Sequence, residues 1–277
     1  MRVLSRVVAA SPKSGWALFE RGKARIEARD WEGLDDLEQA LALHPRDVPL
    51  ADMPRSEEIR RLFERLNEAV EAGQRPAQAL AWRGWAQRLL GRHDAALADV
   101  RRALELGFPE ETGLCWRADL LIRLGRLDAA LETLERAVQL RPSATALALR
   151  GECLLRLGRV EPAVKALEEA AAADPKSAQA HLWLGTAHLA AGRREEAREA
   201  LERAAALDPS EPRAHARLAQ AWRSLGDVSR SDAALRDAAQ ACPVSADSAA
   251  EWLWKPDPAV RTALLRLSLK RSKGGPR

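Results

Sequence analysis

The sequence lacks several features that mark common classes of protein. Its 277 residues include no tyrosine and only three cysteines, and no apolar run approaches the ~20 residues of a membrane-spanning helix. The cysteines are odd in number and show no CxxC spacing, so we expect reduced thiols in a cytoplasmic protein: Cys115, Cys153 and Cys242. Phosphate-binding loop, GxSxG and HExxH motifs are absent. The sequence therefore predicts a non-enzymatic protein with no cofactor and no small-molecule substrate.

Positive charge is concentrated at the C-terminal end of the sequence. Residues 255–277 hold seven Lys or Arg against one Asp, so the preceding 254 residues carry −2 of the total of +4. We expect a flexible basic tail over 270–277, with weak, salt-sensitive contact to anionic lipid or nucleic acid as the alternative. Arg outnumbers Lys by 37 to 7, a bias typical of a GC-rich genome, and we expect a bacterial origin.

Five copies of a pattern of 33 or 34 residues run from residue 77 to residue 245. Each copy has a small residue seven positions before an anchor glycine and another small residue five positions after it. Val or Leu follows at nine positions after, Ala at twelve, and in four copies Pro at seventeen. The anchors are Gly91, Gly125, Gly158, Gly192 and Gly226. Recurrence at this period is the signature of a helical repeat array.

Each copy predicts a pair of helices. The first should end at the anchor glycine, in the left-handed conformation that stops a helix. The second carries apolar residues at three- and four-residue steps, which predicts one buried face, and proline then ends it. Small residues where the helices cross should allow close approach, with the Leu slot filling the space. One hairpin cannot bury its apolar face alone, so neighbouring hairpins must stack.

This pattern resembles that of tetratricopeptide repeats (TPR), in which A-x3-F/L and a helix-ending proline follow a small residue of the first helix. Ala130-x3-Leu134 and Ala197-x3-Leu201 match it, as do Pro142 and Pro209. The resemblance implies an all-α fold, an α-solenoid of helix hairpins winding as a right-handed superhelix, with capping helices at its ends.

The domain boundaries follow from the repeats. We expect residues 15–76 to form a degenerate TPR-like hairpin and an extra helix over Ser56–Ala72, separated by an irregular stretch at 46–55. That stretch contains two prolines and is a hinge, a binding loop or a decayed repeat. Residues 1–14 read as a short helix or loose lead-in, with a secretory signal as the weaker alternative. The five repeats span 77–110, 111–143, 144–177, 178–211 and 212–245, followed by capping helices over 246–269.

The candidate binding residues come from the resemblance. In TPR arrays the first helices line a concave groove, and its slots lie thirteen, ten, six and three residues before the anchor glycine. The Lys and Asn clamp with which TPR chaperone adaptors hold a terminal carboxylate is absent here, because the slots hold Ala, Trp, Thr, Cys and Asp. We expect a partner peptide or helix to contact Trp82, Trp85, Arg88, Asp119, Arg123, Glu152 and Arg156.

The tryptophans allow two interpretations. Tryptophan is enriched among binding hot spots, but it also packs between neighbouring helices. Both interpretations stay open for Trp82 and Trp85, whereas packing is favoured for Trp116 and Trp183.

The histidines and arginines are interpreted mainly as structural. His181 and His188 lie two helical turns apart, about 10 Å, whereas metal ligands converge at about 2 Å from an ion, so buried or half-buried packing is favoured for them and for His215. Two arginine series recur. One, expected along neighbouring helices, is Arg83, Arg117 and Arg150. The other follows the anchor glycines and is expected to be a solvated ridge, with steering of an acidic partner as the alternative: Arg92, Arg126, Arg159 and Arg193.

The predicted function is that of a protein-interaction adaptor or scaffold that binds a partner peptide or helix in the groove. An accessory subunit that presents substrate to, or regulates, a partner enzyme is the alternative. Nucleic-acid binding through the arginine ridge and the tail is less favoured, because Asp and Glu lie close by in the sequence. Self-association through the ends of the array stays open.

Overall fold

The computed structural model describes residue 8 and residues 14–43 and 56–241, and these residues form thirteen α-helices and no β-strand. The all-α prediction is therefore confirmed. Nearly all of the lead-in, the irregular stretch at 46–55, the capping helices at 246–269 and the tail at 270–277 lie outside the described residues. The helices are α1 Gly15–Glu27, α2 Gly33–Leu43, α3 Ser56–Glu71, α4 Pro76–Leu89, α5 His93–Glu105, α6 Glu110–Arg123, α7 Leu127–Leu140, α8 Ala144–Arg156, α9 Val160–Ala173, α10 Ala178–Ala190, α11 Arg194–Leu207, α12 Pro212–Ser224 and α13 Val228–Ala241.

The chain divides into two compact units, residues 1–133 and 134–277, and the division falls within α7. In the first unit α1 pairs with α2 and α4 pairs with α5, while α3 packs against α1 and α4. In the second unit α8 pairs with α9, α10 with α11 and α12 with α13, and each hairpin contacts the next. Both units are thus built from stacked antiparallel hairpins, each of which covers the apolar face of its neighbour.

Each of the five turns at an anchor glycine requires glycine because of its backbone conformation. Gly91 has a φ of +73°, its N–H donates to the Arg88 carbonyl over 3.1 Å, and the Arg92 N–H donates to the Gln87 carbonyl over 2.9 Å. A Cβ at this glycine would meet no atom within 4 Å, so space is not the reason for it. Glycine is needed here because the backbone is in the left-handed conformation, which a side chain disfavours. The other four anchor glycines have φ between +72° and +86°, which confirms the predicted turns.

Space is the reason for a second set of glycines, where the two helices of a hairpin cross. A Cβ on Gly151 would lie 2.3 Å from Cγ of Leu167, and one on Gly185 would lie 2.4 Å from Cγ of Leu201. The two leucines are 0% exposed. The predicted close approach of small residue and leucine is therefore confirmed, and the crossing is packed to the density of a protein interior.

The first hairpin keeps the same crossing despite its shorter sequence. A Cβ on Gly22 of α1 would lie 2.8 Å from Cδ2 of Leu37 on α2, and Leu37 is completely buried. The hairpin is also fastened at its side by Arg21, whose guanidinium donates to both carboxylate oxygens of Asp36 over 2.8 and 2.5 Å. A fork of this kind joins the two helices through a nearly buried carboxylate.

Helix α3 has one strongly apolar face, and that face is buried. Ile59, Leu62 and Leu66 are at most 4% exposed and join the same core as Phe19 of α1 and Trp82 of α4. In the regular hairpins that face of a first helix is covered by the second helix of the preceding hairpin. Helix α3 therefore supplies the cover for α4, as the second helix of a preceding hairpin does elsewhere.

Candidate functional site

The candidate tryptophans of the first unit lie in a buried aromatic cluster. The Trp82 ring centroid lies 5.6 Å from that of Trp85, 6.2 Å from that of Phe19 and 5.3 Å from that of Trp116. Trp116 in turn lies 5.6 Å from Phe108, in the loop between α5 and α6. Most of these pairs are tilted or edge-to-face, the arrangement that aromatic rings favour. The cluster therefore joins α1, α4 and α6 into one rigid layer.

The burial of the tryptophan rings shows whether they pack in the core or are accessible to a partner. Trp82 is 0% exposed and Trp85 is 6% exposed, so both serve as packing residues in the structure. The indole nitrogen of Trp82 has no hydrogen-bond partner in the described part of the chain. A partner could reach the Trp82 ring only after the layer had opened. The layer instead supports the polar residues that follow it along α4 and α6.

Those polar residues form a mixed-charge cluster at the C-terminal ends of the two helices. Arg88, one turn after Trp85, lies in the last turn of α4, and its Nη1 is 3.5 Å from Oδ2 of Asp119 on α6. Arg123 reaches back one turn along α6, and its Nε donates to the same carboxylate over 3.0 and 3.2 Å. The structure thus brings together three of the predicted residues, and two cations share one carboxylate.

His93, the first residue of α5, completes this cluster and was not predicted. Burial lowers the pKa of His93, and so does the positive charge of Arg123 and Arg88, against the opposing pull of Asp119. Burial also lowers the pKa of the Arg88 guanidinium, with Asp119 acting in the opposite direction. The sequence does place His93 two residues after an anchor glycine, but only the folded hairpins show that this position meets the ends of α4 and α6.

The second unit repeats part of this arrangement. Glu152 and Arg156 of α8 occupy the slots equivalent to those of Asp119 and Arg123, and they form the same pair four residues apart, with Nη2 2.8 Å from Oε1. The Arg156 guanidinium also lies 5.8 Å from the ring centroid of Trp183, which is 6% exposed. Trp183 is thus a packing residue with a cation at its ring, as favoured from the sequence.

The histidines of the second unit are structural, as predicted. Nε2 of His181 lies 3.1 Å from the Pro175 carbonyl oxygen, and Nε2 of His215 lies 2.9 Å from the Pro209 carbonyl oxygen. A carbonyl oxygen only accepts, so Nε2 carries the proton in both rings. His181 and His188 are buried, which lowers the pKa of each. Within residues 14–43 and 56–241, no group of three His, Cys, Asp or Glu side chains is placed to hold a metal ion.

Two arginines of the first series lie along the neighbouring helix of their own hairpin, as expected, and pair with it. Arg83 donates to both carboxylate oxygens of Asp99 on α5 over 2.7 and 2.6 Å, and Arg150 donates to Glu169 on α9 over 3.0 Å. Each arginine therefore ties a first helix to the second helix of its own hairpin.

The arginine ridge is partly neutralised by acidic residues of the preceding hairpin. Arg126 donates to Asp94 over 2.9 Å, and Arg193 donates to Glu161 over 2.8 Å. Both pairs join residues 32 positions apart in the chain. Arg92 instead lies over the Phe63 ring, 5.3 Å from its centroid. A ridge paired in this way presents a weaker positive field than its sequence suggests.

Repeated hairpins, turn glycines and small-residue crossings together define a helical-repeat protein of the α-solenoid class. Tetratricopeptide-repeat sequence profiles match residues 77–106, 117–178, 154–221 and 188–246. The matches cover more than half of the chain, which belongs to the tetratricopeptide-repeat family. None of the described helices is both long enough and apolar enough to cross a membrane.

Two solved structures share the fold, and a third is less similar. TTC0263, a thermophilic TPR protein of Thermus thermophilus, is 26% identical with a TM-score of 0.59, over 68% of this chain and 99% of TTC0263. Yeast Tom70 has a TM-score of 0.59 over 99% of this chain and 61% of Tom70, and at 15% identity it shows the fold alone. MamA from Desulfovibrio magneticus RS-1 is 23% identical over 60% of this chain and 94% of that chain, with a TM-score of 0.49. No curated protein sequence matches the chain.

Proposed function

We propose that this protein is a non-enzymatic adaptor or scaffold that binds a peptide or helix of a partner protein on the inner face of its first helices. The family and the fold support a protein-interaction role, since stacked hairpins build an extended recognition surface. In this proposal the inner face means the groove slots of α4 and α6 in the first unit and of α8 and α10 in the second.

The observation that carries the proposal is the recurrence of one charged pair on this face. Asp119 with Arg123, and Glu152 with Arg156, occupy equivalent slots of successive hairpins, and in both pairs the arginine is held by the carboxylate four residues before it. Side chains fixed in this way lose little conformational entropy when a partner binds. Polar side chains that are held in place by ion pairs, above buried tryptophan, therefore form a preorganised recognition surface.

The buried tryptophans have a supporting role in this proposal. Trp82 and Trp85 hold α1, α4 and α6 together below the surface, while Arg88, Asp119 and Arg123 contact the partner in the first unit. In the second unit Arg156, whose side chain is 31% exposed, contacts the partner and is held in place by the buried Glu152. The division follows from exposure, because the side chains of Arg88 and Asp119 are 17% and 23% exposed whereas Trp82 is fully buried.

No observation favours nucleic-acid binding as a second function. The ion pairs of Arg126 and Arg193 neutralise positive charge that would otherwise be available to phosphate groups. Contacts between cationic side chains and phosphate supply most of the non-specific affinity for nucleic acid. The setting that we propose is the cytoplasm, which the buried thiols of Cys115 and Cys153 fit.

Site-specific photocrosslinking in the native cell tests the proposal. A benzophenone amino acid at Thr112, a half-buried groove slot on α6, should crosslink a partner protein. The same label at Arg101, whose side chain is 72% exposed on the second helix α5, should give little or no product. Crosslinking from Arg101 with none from Thr112 would place the partner on the outer face and overturn the proposal.

A further inference from the structure

The charge of the cluster at the ends of α4 and α6 is unbalanced. Arg88 is largely buried, and the single hydrogen bond that it makes in the described part of the chain is long, at 3.5 Å. Its acceptor, Asp119, is already engaged by Arg123 at 3.0 Å. A guanidinium removed from water needs a close counter-charge, and a carboxylate shared with a second arginine supplies only part of one.

The neighbouring charges do not correct the imbalance. Asp94, the other carboxylate near these groups, is held by Arg126 at 2.9 Å. Among the described residues of the cluster and its neighbouring ion pair, Arg88, Arg123 and Arg126 stand against Asp119 and Asp94, an excess of one positive charge. Arg123 also uses only its Nε toward Asp119, so its terminal N–H groups remain as donors directed to no acceptor among the described residues.

We propose that the cluster of Arg88, Asp119 and Arg123 is a subsite for one acidic side chain, Asp or Glu, of the partner peptide. This inference rests on the function proposed above and names the chemistry that this part of the inner face selects. A carboxylate between the two arginines would accept from the donors of both and would match the one excess charge.

The structure favours a side-chain carboxylate over other anions. A phosphate group carries nearly two negative charges, and the second would face Asp119 and Asp94. The cluster also lies where α4 and α6 end, at the edge of the inner face. A peptide that crosses the face can reach this edge with a side chain while its main chain continues. A terminal carboxylate would require the partner to end there.

The second unit differs from the first at one slot of this set. The slot that corresponds to Arg88 holds Leu155 on α8, whereas Glu152 and Arg156 keep the paired carboxylate and arginine. Selectivity for an acidic residue is therefore expected at the first unit and not at the second.

Peptide selection on the full chain tests the inference. A random-peptide display library with its C-terminus fused to the carrier excludes terminal carboxylates, and selected sequences are then synthesised with acetylated and amidated ends. Kd is measured by fluorescence anisotropy for each peptide and for its Glu→Gln or Asp→Asn form. The proteins are wild type, Arg88→Gln and Arg123→Gln. The matched control is the double variant Arg101→Gln/Arg102→Gln, which removes two exposed charges from α5.

The expected result is an acidic residue at a fixed position in the selected peptides. Its neutralisation should weaken binding to wild type about tenfold, the scale of one charge-assisted hydrogen-bonded pair. Arg88→Gln should bind the acidic and neutral peptides about equally, whereas the control variant should keep the wild-type preference.

Failure of this inference and failure of the proposed function give different results. Peptides that bind but show no acidic preference, or a preference that Arg88→Gln and Arg123→Gln leave unchanged, would overturn the subsite and keep the binding face. If the selected peptides, remade with a free C-terminus, gained affinity that Arg88→Gln and Arg123→Gln removed while neutralisation of the acidic side chain had no effect, the cluster would be assigned to a terminal carboxylate and the side-chain assignment would be overturned. Selection of no peptide at all would contradict the proposed function and the inference with it.

The His93 ring gives a second, local readout. Arg88 and Arg123 lower the pKa of His93, while Asp119 and Asp94 raise it. The negative charge of a carboxylate bound between the two arginines should raise the pKa of His93, whereas burial of the ring by the peptide would lower it. NMR titration of the His93 ring protons therefore compares the complex of the acidic peptide with that of its neutral form. An equal pKa of His93 in the two complexes would place the acidic residue elsewhere.

Discussion

Replacing Trp82 by alanine tests directly whether the inner face rests on a rigid aromatic layer. Trp82 is 0% exposed and contacts Phe19, Trp85 and Trp116. Truncation removes the middle member of the cluster and leaves a cavity between α1, α4 and α6. We expect a large loss of stability in the first unit, since its neighbours are held by separate helices and can collapse into the space only in part.

Three contributions set the size of the effect. Truncation of a buried aromatic side chain to alanine costs about 3–5 kcal/mol. Removing an indole N–H that has no partner within the described residues returns about 1 kcal/mol of desolvation cost, and the better helix propensity of alanine returns about 0.5 kcal/mol. The net loss should therefore lie near the lower end, at about 2–3 kcal/mol. Trp82→Phe, which keeps a ring and removes the N–H, should cost about 1 kcal/mol.

Urea unfolding followed by far-UV circular dichroism measures these losses, with hydrogen exchange of the α4 amides as the local measure. Exchange is needed because repeat arrays need not unfold in one step. Trp16→Ala provides the control, since Trp16 lies on α1 of the same unit but is 50% exposed. If Trp82→Ala destabilised the protein no more than Trp16→Ala does, the buried layer and the supporting role given to it would be wrong.

Four further predictions concern the second unit and the thiols. Gly185→Ala should destabilise the protein by about 1–3 kcal/mol because its Cβ would meet Leu201. The double variant Gly185→Ala/Leu201→Ala should lose less free energy of unfolding than the two single variants lose together, and additive losses would refute this. Gly192→Ala, whose Cβ would meet nothing, should cost about 1–2 kcal/mol through its positive φ alone, and rescue of that loss by Leu201→Ala would contradict a backbone origin. The pKa of His188 is lowered in the folded protein, so its contribution to stability is complete above the ordinary histidine pKa and is lost as pH falls through the folded pKa. His188→Gln should therefore make the free energy of unfolding depend less on pH below about pH 6.5. An unchanged pH dependence would argue against a buried ring. Burial raises the pKa of Cys115 to about 12, so with the other cysteines replaced by alanine the folded chain should resist iodoacetamide at about pH 8 and react only in urea.

Much of the fold could be predicted from the sequence because its determinants are local. A glycine at a positive φ, a small residue at a crossing and a leucine nine positions after the turn are each fixed within one hairpin. Gly185, Gly192 and Leu201 illustrate this, since the structure gives each the role expected from its slot. Their repetition at 33 or 34 residues then made each hairpin support the interpretation of the next.

The candidate site could be predicted only in part because its determinants come from separate helices. The slots indicated which side chains share the inner face, but the burial of Trp82 depends on Phe19, more than sixty residues earlier in the chain. The imbalance at Arg88 depends on Arg123 holding the carboxylate of Asp119. Contacts of this kind follow no periodic pattern, so a sequence offers no signal for them.

The pairing of the arginine ridge was hidden for a related reason. In the sequence Arg126 and Arg193 look like free cations beside turn glycines, and their partners lie 32 residues earlier. A period was visible for the arginines, and another for the acidic residues three positions after the first four anchor glycines. Only stacking brings one series against the other.

The histidine-to-proline contacts bear on how an array of this kind changes in length. At two junctions the carbonyl oxygen of the proline that ends a hairpin accepts from a histidine six residues later, on the first helix of the next hairpin: Pro175 from His181, and Pro209 from His215. Part of the link between these hairpins is thus encoded within a few residues of the junction. A duplicated segment of 34 residues would carry this contact with it, so a hairpin can be added with its junction contact already in place.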